Sequence, residues 1–235
     1  MKHLILLLSA FLLFAGANAQ RTYALLVGVS NYGVTSANLG NTTKDVKDLK
    51  KVLVNQGMVV ATVTSKFATK AKVMEKMNAI NKLAKPGDKV IFYFSGHGDC
   101  GKILLYKTES LYYSEIVETL SKAKADKIFC FIDACLAGSV TGTVYDNLEE
   151  SSKMMFMMAS RANEYSFENN WIGHGYFSQG LLKGLRGMAD TDGDRQITLE
   201  EIFRYVYNDV TARTDIQHPQ LIGSASMYNS VITKW

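Results

Sequence analysis

Two apolar runs, each of strand length and each stopped by a small or polar turn, limit this chain more than any other feature. One is Ile91–Gly98, IFYFSGHG, which carries His97, and the other is Ile128–Cys135, IFCFIDAC. β-Branched and aromatic residues in such runs form strands buried on both faces. A strand that stops abruptly lifts the next residues out of the sheet edge. In an open α/β sheet, ligands and chemistry gather at the carboxyl ends of the strands. A His and a Cys delivered there on neighbouring strands are a thiol nucleophile and its base.

The first residues read as a leader rather than part of the fold. Lys2 and His3 give a basic start, Leu4–Phe14 is an apolar core, and Ala17-Asn18-Ala19 is a small-residue cleavage site. The core is too short for an ordinary membrane span, so residues 1–19 are expected to be a cleaved signal peptide. No Cys follows it to take a lipid, and no later segment is long and apolar enough to span a bilayer. The alternative is an uncleaved anchor. The product is expected to be exported, either periplasmic or secreted. The net charge of +4 is mild, and no basic run or basic-aromatic stripe suggests nucleic acid. The three cysteines, Cys100, Cys130 and Cys135, leave at least one thiol free. Cys130 reads as a buried strand residue, and spacing does not decide whether it pairs with Cys100.

Strand and helix patterns alternate along the chain. Strands are expected at 22–30 and 58–64, in the two long runs, at 154–160 and around 221–232, with a short hairpin at 103–106. Helices are expected from Thr42 or Thr43 to near Gly57, through Val73, Met77, Ile80 and Leu83 to a stop at Pro86-Gly87, over 112–123, near 175–187 and over 199–212. This order predicts a mostly parallel sheet with helices on both faces. The segments 31–41, 139–152 and 161–174 read as loops at the carboxyl edge, around His97 and Cys135.

A free thiol is mostly protonated at neutral pH, and a nearby imidazole both removes its proton and later returns one to the leaving amine. Glycines on both sides of His97 let a substrate approach closely. The amides of Gly98 and Cys135 are the expected donors to an oxyanion. A second GHG string surrounds His174, but it follows a polar loop rather than an apolar strand. His174 is read as a loop or helix-start residue whose loss is nearly silent, and His218, before Pro219, as a turn residue.

The pairing of SGHG after an apolar strand with Asp133-Ala134-Cys135-Leu136-Ala137-Gly138 resembles the caspase-like cysteine peptidases, most closely their metacaspase and bacterial branch. YALLVGVSNY and LGNTTKDVKDLKKVL resemble that family's first strand and the helix after it. ASRANEYSFE and GYFSQGLLKGL resemble its later strand end and helix. The resemblance implies an α/β caspase-like (caspase-hemoglobinase) three-layer sandwich. It implies one peptidase domain over 20–235: a large-subunit-like part (20–139), a linker (140–152) and a small-subunit-like part (153–235). It also implies a His97–Cys135 dyad that needs no cofactor for its chemistry. Asp133, two residues before the nucleophile, and Asp45 match an acidic substrate pocket, which implies cleavage after Arg or Lys. Read without the family, Asp45 is equally a solvated charge at a helix start. The stretch after Leu136-Ala137-Gly138 holds no Arg, and its border residue Lys153 is its only basic one, so self-cleavage is not expected.

Asp190, Asp192, Asp194, Gln196 and Glu201 fall at the ligand positions of a twelve-residue calcium loop, with Ile197 at its apolar position. Arg195 stands where such a loop normally has Gly. The alternative is a polar turn between helices. The chain is therefore expected to be an exported thiol endopeptidase acting on peptide or protein substrates, without a stable membrane anchor and with calcium as an optional ligand. Two rivals stand beside it: a catalytically silent interaction module, and a thiol acyltransferase or ligase on the same fold.

Overall fold

The computed structural model describes residues 20–140, 143–169 and 173–235. The expected signal peptide, residues 1–19, lies outside them. The chain begins with β1 (Thr22–Gly28), α1 (Thr42–Asn55), β2 (Val59–Thr64), α2 (Lys70–Leu83) and β3 (Lys89–Ser95). An antiparallel ribbon follows, formed by β4 (Gly98–Asp99), β5 (Lys102–Leu104) and β6 (Ser110–Tyr112). Next come α3 (Tyr113–Ser121), β7 (Lys127–Asp133), α4 (Thr143–Glu150) and β8 (Met154–Met158). The last third holds β9 (Glu168–Asn169), β10 (His174–Gly175), α5 (Tyr176–Lys183), a π-helical turn (Gly184–Met188), β11 (Gln196–Thr198), α6 (Leu199–Thr211), β12 (Gln220–Ile222) and β13 (Val231–Lys234).

Six strands form the central sheet in the order β12-β8-β7-β3-β1-β2. Only β12 runs antiparallel to its neighbour. The central strands are apolar between their end residues because both faces are covered. On one face Tyr23, Leu25, Phe92, Phe94 and Ile132 pack against Val73, Met77 and Ile80 of α2 and Ile116 and Leu120 of α3. On the other, Leu26, Ile91, Tyr93 and Phe131 meet Leu49 and Leu53 of α1, Leu181 of α5 and Val206 of α6. Each such side chain contributes about 1.5–3 kcal/mol by leaving water. The expected three layers are present, and the parts on either side of 140–152 share one sheet through β7 and β8.

Local details depart from the sequence reading in three places. The stretch 139–152 is not all loop, because α4 fills most of it and buries Leu148. The single last strand divides into β12 and β13, separated by a 3-10 turn at Ala225–Met227. The expected hairpin at 103–106 is the middle of a three-stranded ribbon.

Candidate functional site

The site follows from strand register. β3 and β7 are parallel neighbours, and Ser95 pairs with Asp133 at their carboxyl ends. The amide of Gly96 still donates to the Asp133 carbonyl at 3.1 Å, so the two chains leave the sheet side by side. The His97 turn and the Cys135 turn then touch. A Cβ on Gly98 would collide with the Cys135 carbonyl oxygen, so only glycine fits there. His97, Cys135, Ser95, Asp133, Leu39 and Ser166 line one cleft of about 90 Å³. The two residues that the sequence pairs as nucleophile and base are thus brought to one opening.

The His97 ring is held by the 31–41 loop. Its Nε2 lies 2.8 Å from the Ala37 carbonyl. A carbonyl only accepts, so Nε2 carries the proton and Nδ1 of the neutral ring holds the lone pair. The His97 amide donates to the Tyr32 hydroxyl at 2.7 Å, and the two rings sit 4.7 Å apart. Backbone thus orients the ring, as a third group would have to beside a nucleophile–base pair. No local signal marked Ala37, because the contact uses its carbonyl and spans sixty residues.

Cys135 sits in a turn, with its Sγ 3.8 Å from the Ser166 carbonyl. Leu136 follows in the left-handed region at φ 53°. Such a conformation in a non-glycine residue stores strain of order 1–2 kcal/mol and needs outside support. The Leu136 amide donates to the Glu164 carbonyl at 2.8 Å, and the Gly138 amide to the Ser160 carbonyl at 2.9 Å. Buried Gln217 fastens the same loop, donating to the Ala159 carbonyl and accepting from the Phe167 amide, both at 3.0 Å. Glu164 also accepts from the His218 amide and meets its Nδ1, each at 2.8 Å. His218 thus lies in the irregular stretch before β12 rather than in a turn, with its ring positioned by Glu164.

Two buried carboxylates lie under the cleft. Asp133 accepts from the Ser166 hydroxyl at 2.6 Å, and from the Ser178 hydroxyl at 2.5 Å and amide at 3.2 Å. Burial first, and then the charge of Asp45, push its carboxyl up to about 6. Gly175 leaves room for it, since a Cβ there would stand 2.5 Å from Asp133 Oδ2. Asp45 is 1 % exposed, which overturns its reading as a solvated helix-start charge. It accepts from the Ser95 hydroxyl at 3.0 Å and is 2.6 Å from His174 Nδ1. Burial raises its carboxyl as well. His174 does stand just before α5, but its ring is buried against Asp45, so its removal is no longer expected to be silent.

Elsewhere, Asp190, Asp192 and Asp194 bring one carboxylate oxygen each within 4.8 Å of one another. Arg195 takes the left-handed conformation, φ 62°, that a calcium loop gives to glycine. All five expected ligands are engaged: Asp190 accepts from the amides of Gly193 and Arg195 and from Trp235 Nε1, and Asp192 from the Asp194 amide. Glu201 accepts from Thr191 and Thr198, capping α6, and the Gln196 amide donates to Asp194. The three aspartates form a group of the kind that can hold a cation, and Glu201 would have to release its threonines to join them. None of the three cysteines is in a disulfide, so Cys100 and Cys130 are not bridged. Among the described residues, no helix is long and apolar enough to cross a membrane.

Comparison with known proteins agrees with this architecture. The family profile described as the caspase domain matches residues 21–228. No curated protein sequence matches the chain. Among solved structures, that of protein GSU0716 from Geobacter sulfurreducens superposes with a TM-score of 0.66 at 17% identity. The match covers 89% of this chain and 97% of that one, a likeness of fold.

Proposed function

Because the chain belongs to the caspase domain family, we propose that it is a cysteine endopeptidase that cleaves after Arg or Lys. The carrying observation is the single cleft that holds His97, Cys135 and the carboxylate Asp133 together, with Asp45 one hydroxyl away through Ser95. Cys135 is the nucleophile. His97 takes its proton at Nδ1 and gives one to the amine that leaves as Sγ displaces it from the peptide carbonyl. Water, losing a proton to His97, then attacks the thioester, which releases the carboxylate product and returns the thiol. The amides of Gly98 and Cys135 stabilise the oxyanion. Asp133, in the cleft lining, receives the guanidinium or ammonium of the residue before the scissile bond, and Asp45 adds its negative charge from behind Ser95. Buried carboxylates gain most from such a cation, because it reverses the penalty of their desolvation.

Residues 1–19 act as the export signal, and 20–235 act as one peptidase domain. Self-cleavage is not part of this reading. The border residue Lys153 starts the approach to β8, with its ammonium on the carbonyls of Ser121 and Ala123 at 3.3 and 2.5 Å.

The test is a panel of fluorogenic peptides ending in Arg, Lys, Asp or Asn, given to the mature chain with and without calcium. Arg and Lys peptides are expected to be cleaved and Asp peptides left intact. Preferred cleavage after Asp overturns the acidic pocket, and transfer of the acyl group to an added amine in place of hydrolysis supports the ligase rival.

Calcium is proposed as a stabilising ligand of Asp190, Asp192 and Asp194, outside the chemistry. A ligand of the native state raises the melting temperature. Millimolar calcium is expected to do so, and Asp190→Ala with Asp194→Ala to remove the effect. Calorimetry without binding heat at millimolar calcium returns the loop to a plain polar turn.

A further inference from the structure

His174 is the only buried histidine among the described residues, and it is wired to the cleft. Its Nε2 lies 2.5 Å from the Lys44 ammonium, and its Nδ1 2.6 Å from Asp45 Oδ1. An ammonium only donates, so Nε2 accepts and the Nδ1 proton points at Asp45. Asp48 Oδ2 is 3.5 Å from the same Nε2, too far to compete with Lys44, and it pairs with Lys44 at 3.4 Å. The other oxygen of Asp45 accepts from the Ser95 hydroxyl, and Ser95 lines the cleft. An unbroken line of contacts therefore runs from half-exposed Lys44 through His174 and Asp45 to the cleft wall. The charged groups facing His174 are Lys44, Asp45 and Asp48 of α1, with Asp133 of β7 against the adjoining Gly175.

We propose that His174 is a positioning residue for substrate selectivity: by donating to Asp45 it keeps that buried carboxylate ionised and turned toward Ser95, so that the pocket carries two negative charges rather than one. This rests on the acidic-pocket reading above. The physical reason is a balance at Asp45. Burial favours its neutral form, and the strongest opposing influence is the hydrogen bond from His174. Without that donor the buried carboxyl takes up a proton, and a cationic substrate meets Asp133 alone.

The test compares His174→Phe, which keeps a ring without a donor, with His174→Asn, whose amide nitrogen occupies the place of Nδ1. In the full mature chain, KM for an Arg peptide is expected to rise roughly 10- to 100-fold in His174→Phe, the worth of one hydrogen bond to a charged group. The kcat value is expected to change little, and His174→Asn to restore most of the loss. The rate at which iodoacetamide alkylates Cys135 is expected to be unchanged in both, because that reagent does not use the pocket. Carboxyl carbon NMR of labelled aspartates, with Asp45→Asn giving the assignment, follows the group directly. It is expected to show Asp45 ionised at pH 7 in wild type and His174→Asn, and protonated in His174→Phe. If His174→Phe does not fold, His174→Gln, with its amide at the Nε2 end, takes its place. An unchanged KM, equal losses in the Phe and Asn variants, or an equally ionised Asp45 in both overturns the proposal. A wild type that cleaves no basic peptide while the NMR pattern holds overturns the substrate assignment and leaves the role of His174 standing.

Discussion

Cys135→Ala and His97→Ala are each expected to lower turnover of an Arg peptide by at least about a thousandfold, since a nucleophile and its general base act as one unit. The double variant is expected to be no worse than the worse single one. Both side chains lie in turns beyond strand ends and are only partly buried, so neither loss opens the core. Thermal unfolding is expected to stay close to wild type. Additive losses in the double variant, or an active Cys135→Ala, would remove the pair from the chemistry. The other thiols give a clear contrast. Cys130 is fully buried inside β7, and burial pushes its thiol far above the ordinary range, which makes it unreactive. Exposed Cys100 is the real competitor for any reagent.

Neutralising the pocket is expected to have the second largest effect. Asp45→Asn and Asp133→Asn each remove a charge-assisted contact, and kcat/KM for Arg peptides is expected to fall roughly 10- to 100-fold. Asp45→Asn is the cleaner variant, because Asp133 stands two residues before Cys135. The pH dependence has a definite sign. With its carboxyl at about 6, Asp133 binds a proton as the pH falls through that value. KM for Arg peptides is therefore expected to rise below pH 6, and Asp133→Asn to lose that rise.

Folding stability moves the opposite way. An acid raised from 3.8 to about 6 in the folded chain favours the fold when protonated. That contribution is lost as the pH climbs through the window between those two values, by about 3 kcal/mol in all. The melting temperature of Asp133→Asn relative to wild type is expected to increase across the same window. A flat KM profile in wild type between pH 5 and 8, together with unchanged selectivity in both Asn variants, would dismiss the acidic pocket.

The sheet was legible because its central strands are buried on two faces. Residues 23–27, 90–94 and 128–132 are apolar without interruption, and each run ends in a small or polar residue and a turn. That same abrupt ending marked His97 and Cys135. The elements missed are those whose pattern is weak locally. α4 shows little more than Val144 and Leu148 for a buried face, and β12 and β13 are too short to separate by alternation. The supports of the site were hidden for a different reason. The Ala37 carbonyl, the Tyr32 hydroxyl and Gln217 act across loops distant in sequence, and nothing in their neighbourhood announces the contact. His174 did carry a signal, since its GHG string leads directly into a helix, but only the fold shows that the ring turns inward to Asp45.

The central claim is that one thiol attacks beside a pocket built for a cation. An arginyl and an aspartyl fluoromethyl ketone peptide, each incubated with the mature chain and followed by peptide mass spectrometry, test both halves at once. The account predicts one adduct per chain from the arginyl reagent, located on Cys135, abolished by His97→Ala, and little or none from the aspartyl reagent. An adduct on Cys100 instead of Cys135, or faster labelling by the aspartyl reagent, would contradict it.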